Sequence, residues 1–132
     1  MNSGTVHQVR GSIPAALDAY REALRIFRSV GDPSGAAGCL SNIGTLQSAA
    51  GDTEGALASY REALELSGGK GDRAFIATTL GNLASCHGQR GEFPAAVEAA
   101  ERSAALHREL RSPGGIVASL VVLAQIRIHS GA

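Results

Sequence analysis

Tryptophan is absent, and three Phe and two Tyr are the only other large rings, so a core built around aromatic residues is excluded. Interlocked small aliphatic side chains, chiefly Ala and Leu, must fill it instead, a composition that favours closely approaching helices. A surplus of one charge is also lacking, since twelve basic residues balance twelve acidic ones. Such a chain has no long-range positive field to attract nucleic acids or anionic membranes, and neither is expected as a primary partner. Only two cysteines occur, Cys39 and Cys86, 47 residues apart and outside any CxxC or Cys/His cluster. Zinc and redox motifs are therefore excluded, and two reduced core thiols are expected. Long apolar runs are missing too: the longest, Ile116 to Ala124, is nine residues broken by Ser119. That is short for a bilayer span, and the opening MNSGTVHQVR has neither the basic start nor the apolar segment of a signal peptide. Lys is nearly absent, Lys70 standing against eleven Arg, which with the excess of Ala and Gly suggests a GC-rich bacterial coding sequence and a cytoplasmic protein. Finally, GxxxxGK[ST], GxSxG and HExxH do not occur, so no enzyme activity, metal or cofactor is expected.

What the sequence does hold is a repeat. A shift of 40 residues lays Tyr20-Arg21-Glu22-Ala23-Leu24 on Tyr60-Arg61-Glu62-Ala63-Leu64 and stacks Leu40, Asn42, Ile43 and Gly44 on Leu80, Asn82, Leu83 and Ala84. A finer beat runs through Gly11, Gly31, Gly51, Gly71, Gly91 and Gly131, a 20-residue grid broken only by Arg111. Each grid position precedes Ser12, Asp32, Asp52, Asp72, Glu92, Ser112 or, at the end, Ala132. Glycine tolerates the left-handed conformation that ends a helix, and Ser or Asp accepts from the free amides that begin the next. Pro33 and Pro113 fall just after their caps, where a missing N–H is harmless.

These signals predict helices near 2–10, 13–29, 33–50, 53–67, 72–90, 93–110 and 113–130, about seven in all. Within 13–29, Ile13, Ala16, Leu17, Tyr20, Ala23, Leu24 and Phe27 keep i, i+3, i+4, i+7 spacing and form one apolar stripe, opposite Asp18, Arg21, Glu22, Arg25 and Arg28. Short connections make successive helices antiparallel, and repeated pairs must stack to cover their stripes, which gives an all-α fold, an α-solenoid. The 132 residues form one domain: a partial unit 1–31, units 32–71 and 72–111, and a half-unit 112–132. Small residues at fixed phase, Gly44, Ala84 and Ala124 in the first helix of each pair and Ala16, Ala56 and Ala96 in the second, leave room for a neighbouring backbone.

The set Leu40, Ile43-Gly44, Gly51, Ala56, Tyr60 and Ala63, repeated as Leu80, Leu83-Ala84, Gly91, Ala96, Ala100 and Ser103, resembles the tetratricopeptide repeat (TPR). The 40-residue period is similar to the long subclass of kinesin light chains, Leu-Gly-Asn-rich adaptors and bacterial regulator arrays. The resemblance implies a right-handed superhelix and a non-catalytic module that binds a peptide or protein segment in its concave groove. Two positions depart from the pattern. Tyr60 becomes Ala100, and an aromatic often found after the Gly44 position is Gln47, His87 or Arg127.

Asn2, Asn42 and Asn82 share one phase, replaced by Val122 in the last unit. They resemble the Asn ladder by which long-period arrays grip the backbone of an extended peptide; an amide that only bonds a neighbouring helix or water is the alternative. At 100° per residue Phe75, Thr78, Ser85 and Gln89 fall on or near the face of Asn82, and Thr45, Ser48, Gln125 and His129 match them in adjoining units, so the expected groove is lined with short neutral polar groups. A carboxylate clamp would need Lys or Arg there, and Ser41, Thr45, Thr78 and Gly81 supply none. His7 and His87 are equivalent and too far apart in a stack to share a metal; they are expected to be structural. Cys86 and His87 diverge on a helix and form no dyad. The last helix is apolar round much of its circumference, and Val121, Val122, Ile126 and Ile128 are expected to drive self-association, as a homodimer in which two last helices meet or as part of a longer array. A structural segment of a larger regulatory protein, binding no free ligand, is the alternative function.

Overall fold

The computed structural model describes residues 5–68 and 72–130, with side chains described from residue 12 onward. Six helices follow one another: α1 (Thr5–Ser29), α2 (Pro33–Ala49), α3 (Thr53–Ser67), α4 (Arg73–Gln89), α5 (Phe93–Glu109) and α6 (Pro113–Ser130). The boundaries follow from the punctuation. Asp32 and Asp52 accept from the amides of Gly35 and Gly55 at 3.0 and 2.9 Å, and Asp72 accepts from Ala74 at 2.9 Å. At the other ends Gly31, Gly51 and Gly91 take positive φ, and the amides of Asp32, Asp52, Glu92 and Ser112 reach back five residues to the carbonyls of Phe27, Gln47, His87 and His107. Arg111, the break in the grid, takes the same left-handed turn at φ 53°. The turn is thus set by the junction, and glycine only makes it cheaper, by about 1 kcal/mol.

One expected boundary is corrected. Gly11-Ser12 does not separate two helices; α1 runs through it, with Pro14 inside, so there are six helices among the described residues. The reason lies in what a break would have to pack. Residues 5–10 offer only Val6 and Val9 as large apolar side chains, too little burial to offset the entropy of a tight turn.

Each helix packs on its chain neighbours, and the first helices of successive pairs, α2, α4 and α6, also touch in series. The second helices stand apart at the backbone; α1 and α3 are tied by the exposed Arg28–Glu62 ion pair. Closer spacing along α2, α4 and α6 makes that side the inner face of the solenoid. Two apolar clusters form the core, one around Leu24, Leu40, Ile43 and Ala63, the other around Leu57, Tyr60, Leu80, Cys86, Leu123 and Ile126. Cys39 and Cys86 are buried free thiols, and burial raises the pKa of both, which keeps them protonated and inert.

Within each pair, facing residues trade size. Tyr60 lies over Gly44, where an added Cβ would come within 2.8 Å of the ring, and its hydroxyl meets Thr45 Oγ1 at 3.0 Å. The next pair carries Ala84 and Ala100, both without exposed surface, at the equivalent places. Both alanines lie in the second cluster, so position 100 stays closed to solvent without the ring.

A different exchange links successive pairs. Phe27 covers Gly35, and His107 covers Gly115 so closely that a Cβ at either glycine would overlap the ring. At the junction between, position 67 is Ser and position 75 is Phe, so the ring comes from the other side, packed against the first cluster. Each junction therefore holds one ring, supplied by either helix.

Candidate functional site

Helix α4 is capped by Asp72, and its phase sends Ala77, Leu80, Leu83 and Ala84 into the core and Thr78, Ser85 and Gln89 outward. Helix α6 lies beside it, and the two bound a groove with two adjoining hollows. One, of about 230 Å³, is lined by Thr78, Asn82, Ser85 and Val122, with Ser103, Ser119 and His107 at its base. The other, of about 320 Å³, is lined by Ser85, Gln89, Val122, Gln125, Ile126 and His129. Ser85 and Val122 belong to both, which makes the groove continuous. Thus Thr78, Asn82, Ser85, Gln89 and Gln125 come together.

Asn42 and Thr45 stand on the same side of the array, on α2, but line neither hollow. Asn42 is exposed, and neither its amide nor that of Asn82 bonds another described group. Thr45 is differently engaged: its hydroxyl donates to the Ser41 carbonyl or meets Tyr60, so it braces the α2–α3 pair. Asn2 and the side chain of His7 lie outside the described residues. The groove carries no Lys or Arg, and its polarity comes from amides, hydroxyls and imidazoles.

The base of the smaller hollow was not legible from the ladder. Ser103 Oγ, fully buried, donates to the Ala77 carbonyl at 2.7 Å and lies 3.2 Å from Ser119 Oγ, joining α4, α5 and α6. His107 Nδ1 is buried without a partner beside them. A signal for His107 does exist in the sequence, its 80-residue offset from Phe27 combined with the Gly35 and Gly115 match.

His87 is buried and structural. Its Nδ1 lies 2.8 Å from Glu92 Oε1, and Arg90 Nε is 3.4 Å from the other carboxylate oxygen. Glu92 makes no cap bond of its own; a methylene longer than Asp, it reaches back across the turn from α5 to α4. In the preceding turn Gln47 bonds Ser59 while Asp52 caps α3. The hydrogen bond from His87, aided by Arg90, lowers the Glu92 pKa. A depressed carboxylate contributes stability that is present above its unfolded pKa and lost as pH falls through the folded one. Glu92→Gln should therefore lower the melting temperature at pH 7, and the difference from wild type should vanish as the pH falls below the ordinary carboxylate range. Thermal melts from pH 7 to pH 3 check this; a constant difference would show that the carboxylate charge is not involved.

The self-association set needs correction. Val121 and Ile128 are exposed, but Val122 is half-buried in the groove wall and Ile126 is buried, against the groove-side backbone of α4 near Gly88. Helical phase separates them: Ser119, Leu123 and Ile126 turn inward, whereas Val117, Leu120, Val121 and Ile128 turn away. By length and composition α6 is also the one helix among the described residues that could cross a membrane.

A family profile described as Tetratricopeptide repeat matches residues 1–67, and a second of the same description matches residues 76–114. The chain belongs to the tetratricopeptide repeat family. No curated protein matches it as a relative. TPR arrays generally serve as non-catalytic scaffolds for protein–protein interaction, and the helix pairs and shared inner face of this TPR chain are of that kind. Among its described residues no three His, Cys, Asp or Glu converge as metal ligands.

Proposed function

We propose that this TPR array is a non-catalytic interaction module that holds an extended peptide or protein segment along the α2–α4–α6 face. The carrying observation is the continuous groove in which Thr78, Asn82, Ser85, Gln89 and Gln125 present short neutral polar groups over the small residues Gly81 and Ala118. An extended segment brings one N–H and one C=O per residue, and an amide such as Asn82 can serve both at once. Asn42, exposed at the same phase one unit away, extends the line. The 40-residue period supports placement in the long-period subclass, and buried reduced thiols suit a cytoplasmic setting.

Hydrogen bonds of this kind contribute about 1 kcal/mol each, so the Asn42→Ala/Asn82→Ala double variant should bind about tenfold or more weakly than wild type at unchanged stability. Fluorescence titration with a displayed library of extended peptides checks it. Equal binding by both proteins would remove the groove reading. The exposed apolar face of α6 favours a second reading, a self-associating segment of a larger protein.

A further inference from the structure

Helices α1 and α6 each expose a face that the interior of the array buries. In α3, Ser59 and Tyr60 meet Gln47 and Gly44 of α2, the first helix of their own pair. The equivalent positions of α5, Ala99 and Ala100, are likewise buried. In α1 the same positions are Ala19, which is exposed, and Tyr20, which is only partly covered. The face that a first helix covers in α3 and α5 is open in α1.

Helix α6 is the counterpart. Ala37 and Leu40 in α2, and Ala77 and Leu80 in α4, are at most 4% exposed, being covered by the second helix of the pair. Their equivalents Val117 and Leu120 are 59% and 45% exposed. Gly81 in α4 approaches Ser103 of its partner helix, and its equivalent Val121 is 48% exposed. One chain thus carries both halves of an interface that it makes twice internally, in α2–α3 and in α4–α5.

We propose that the chain assembles head to tail, with α1 of one copy docking on α6 of the next as the second helix of that pair. The repeat fixes the register. Val121 would meet Ala23, and Arg127 would meet Ala19, as Gly81 meets Ser103 and Gln47 meets Ser59. A hollow of about 360 Å³ between α5 and α6, lined by Arg108, Leu120, Ala124 and Arg127, marks where the docked helix lies. Charge agrees with this placement. The ion pair between second helices, Arg28 with Glu62, recurs 80 residues on as Arg108 with Glu22 of the docked copy. Arg108 is exposed, and Glu22 is held within its own helix by exposed Arg25. One adjustment is needed: Tyr20 would cover Ala124 where Tyr60 covers Gly44, so the ring must shift by the width of a methyl group.

An interface whose two halves differ does not close on itself after two copies. This separates it from a symmetric pairing of two α6 helices, and from burial of α6 in lipid. The test uses two variants at exposed positions, so that the fold, checked by circular dichroism, is kept. Val121→Glu blocks the α6 end, and Ala19→Arg sets a cation against Arg127 at the α1 end. By light scattering coupled to size exclusion, the wild-type mass should climb beyond two copies with concentration. Each variant alone should be monomeric, and an equimolar mixture should give a one-to-one pair through the two intact ends. Arg108→Glu should loosen wild-type assembly several-fold, and Glu22→Arg in the same chain should restore it. Association of Ala19→Arg like wild type, failure of the variants to pair on mixing, or a wild type that stays monomeric and floats with phosphatidylcholine vesicles would overturn the assignment. None of these readouts depends on peptide binding in the groove.

Discussion

Moving one aromatic ring across a helix junction should cost much less than removing it or doubling it. Phe27→Ser removes the ring above Gly35 and should destabilise the chain by about 2–3 kcal/mol, the lower end for a Phe truncation because Phe27 is only half-buried. Gly35→Phe alone places two rings where one fits and should cost about 1–3 kcal/mol or more. The double variant restores the Ser-and-Phe arrangement of positions 67 and 75, in which Asp72 still caps the helix that carries the ring. It should therefore recover about 2 kcal/mol relative to the sum of the single changes. Urea denaturation of the four proteins closes the cycle. Additive losses would mean that the rings at the two kinds of junction occupy different spaces.

The second large effect lies inside a pair. Gly44→Leu drives a branched side chain into the Tyr60 ring, and Ala56→Leu forces one into a core site with no exposed surface. Each should cost about 1–3 kcal/mol, or roughly 5 °C or more in Tm. Arg61→Ala, on the exposed face of α3, should stay within about 0.5 kcal/mol of wild type. Differential scanning calorimetry of the three variants distinguishes them, and similar Tm values would mean that the packed and solvated faces of the second helices are exchanged.

Most of the fold was legible because its punctuation acts locally. Asp32, Asp52 and Asp72 cap helices with bonds spanning two or three residues, and those bonds depend on little else. Gly11-Ser12 has the same local form as Gly31-Asp32 but no break, since a break also needs an apolar partner segment on its N-terminal side, which single dipeptides do not report. Helical phase brings Thr78, Asn82, Ser85, Gln89 and Gln125 together, whereas Thr45, expected beside them, lines neither hollow and has its hydroxyl against a tyrosine fifteen residues on, a contact that phase within one helix does not report. Ile126 was misread because a helix with apolar residues all round gives no phase to read; packing against α4 decides it. The junction rings were hidden for a different reason. Their rule concerns a sum over two positions, and neither position 27 nor position 35 repeats at the 40-residue period.

Among the described residues, backbone contacts are restricted to helices adjacent in the chain and to the first helices of successive pairs, and this has a kinetic consequence. None of the six helices must wait for a distant one to find it, so the loop-closure entropy ahead of each productive contact stays small. Any adjacent pair can act as a nucleus, with α2–α3 and α4–α5 the best placed since each already encloses its own small-residue contact. Growth then proceeds by adding one helix at a time to an exposed face, the same elementary event by which α1 of a second copy would join α6.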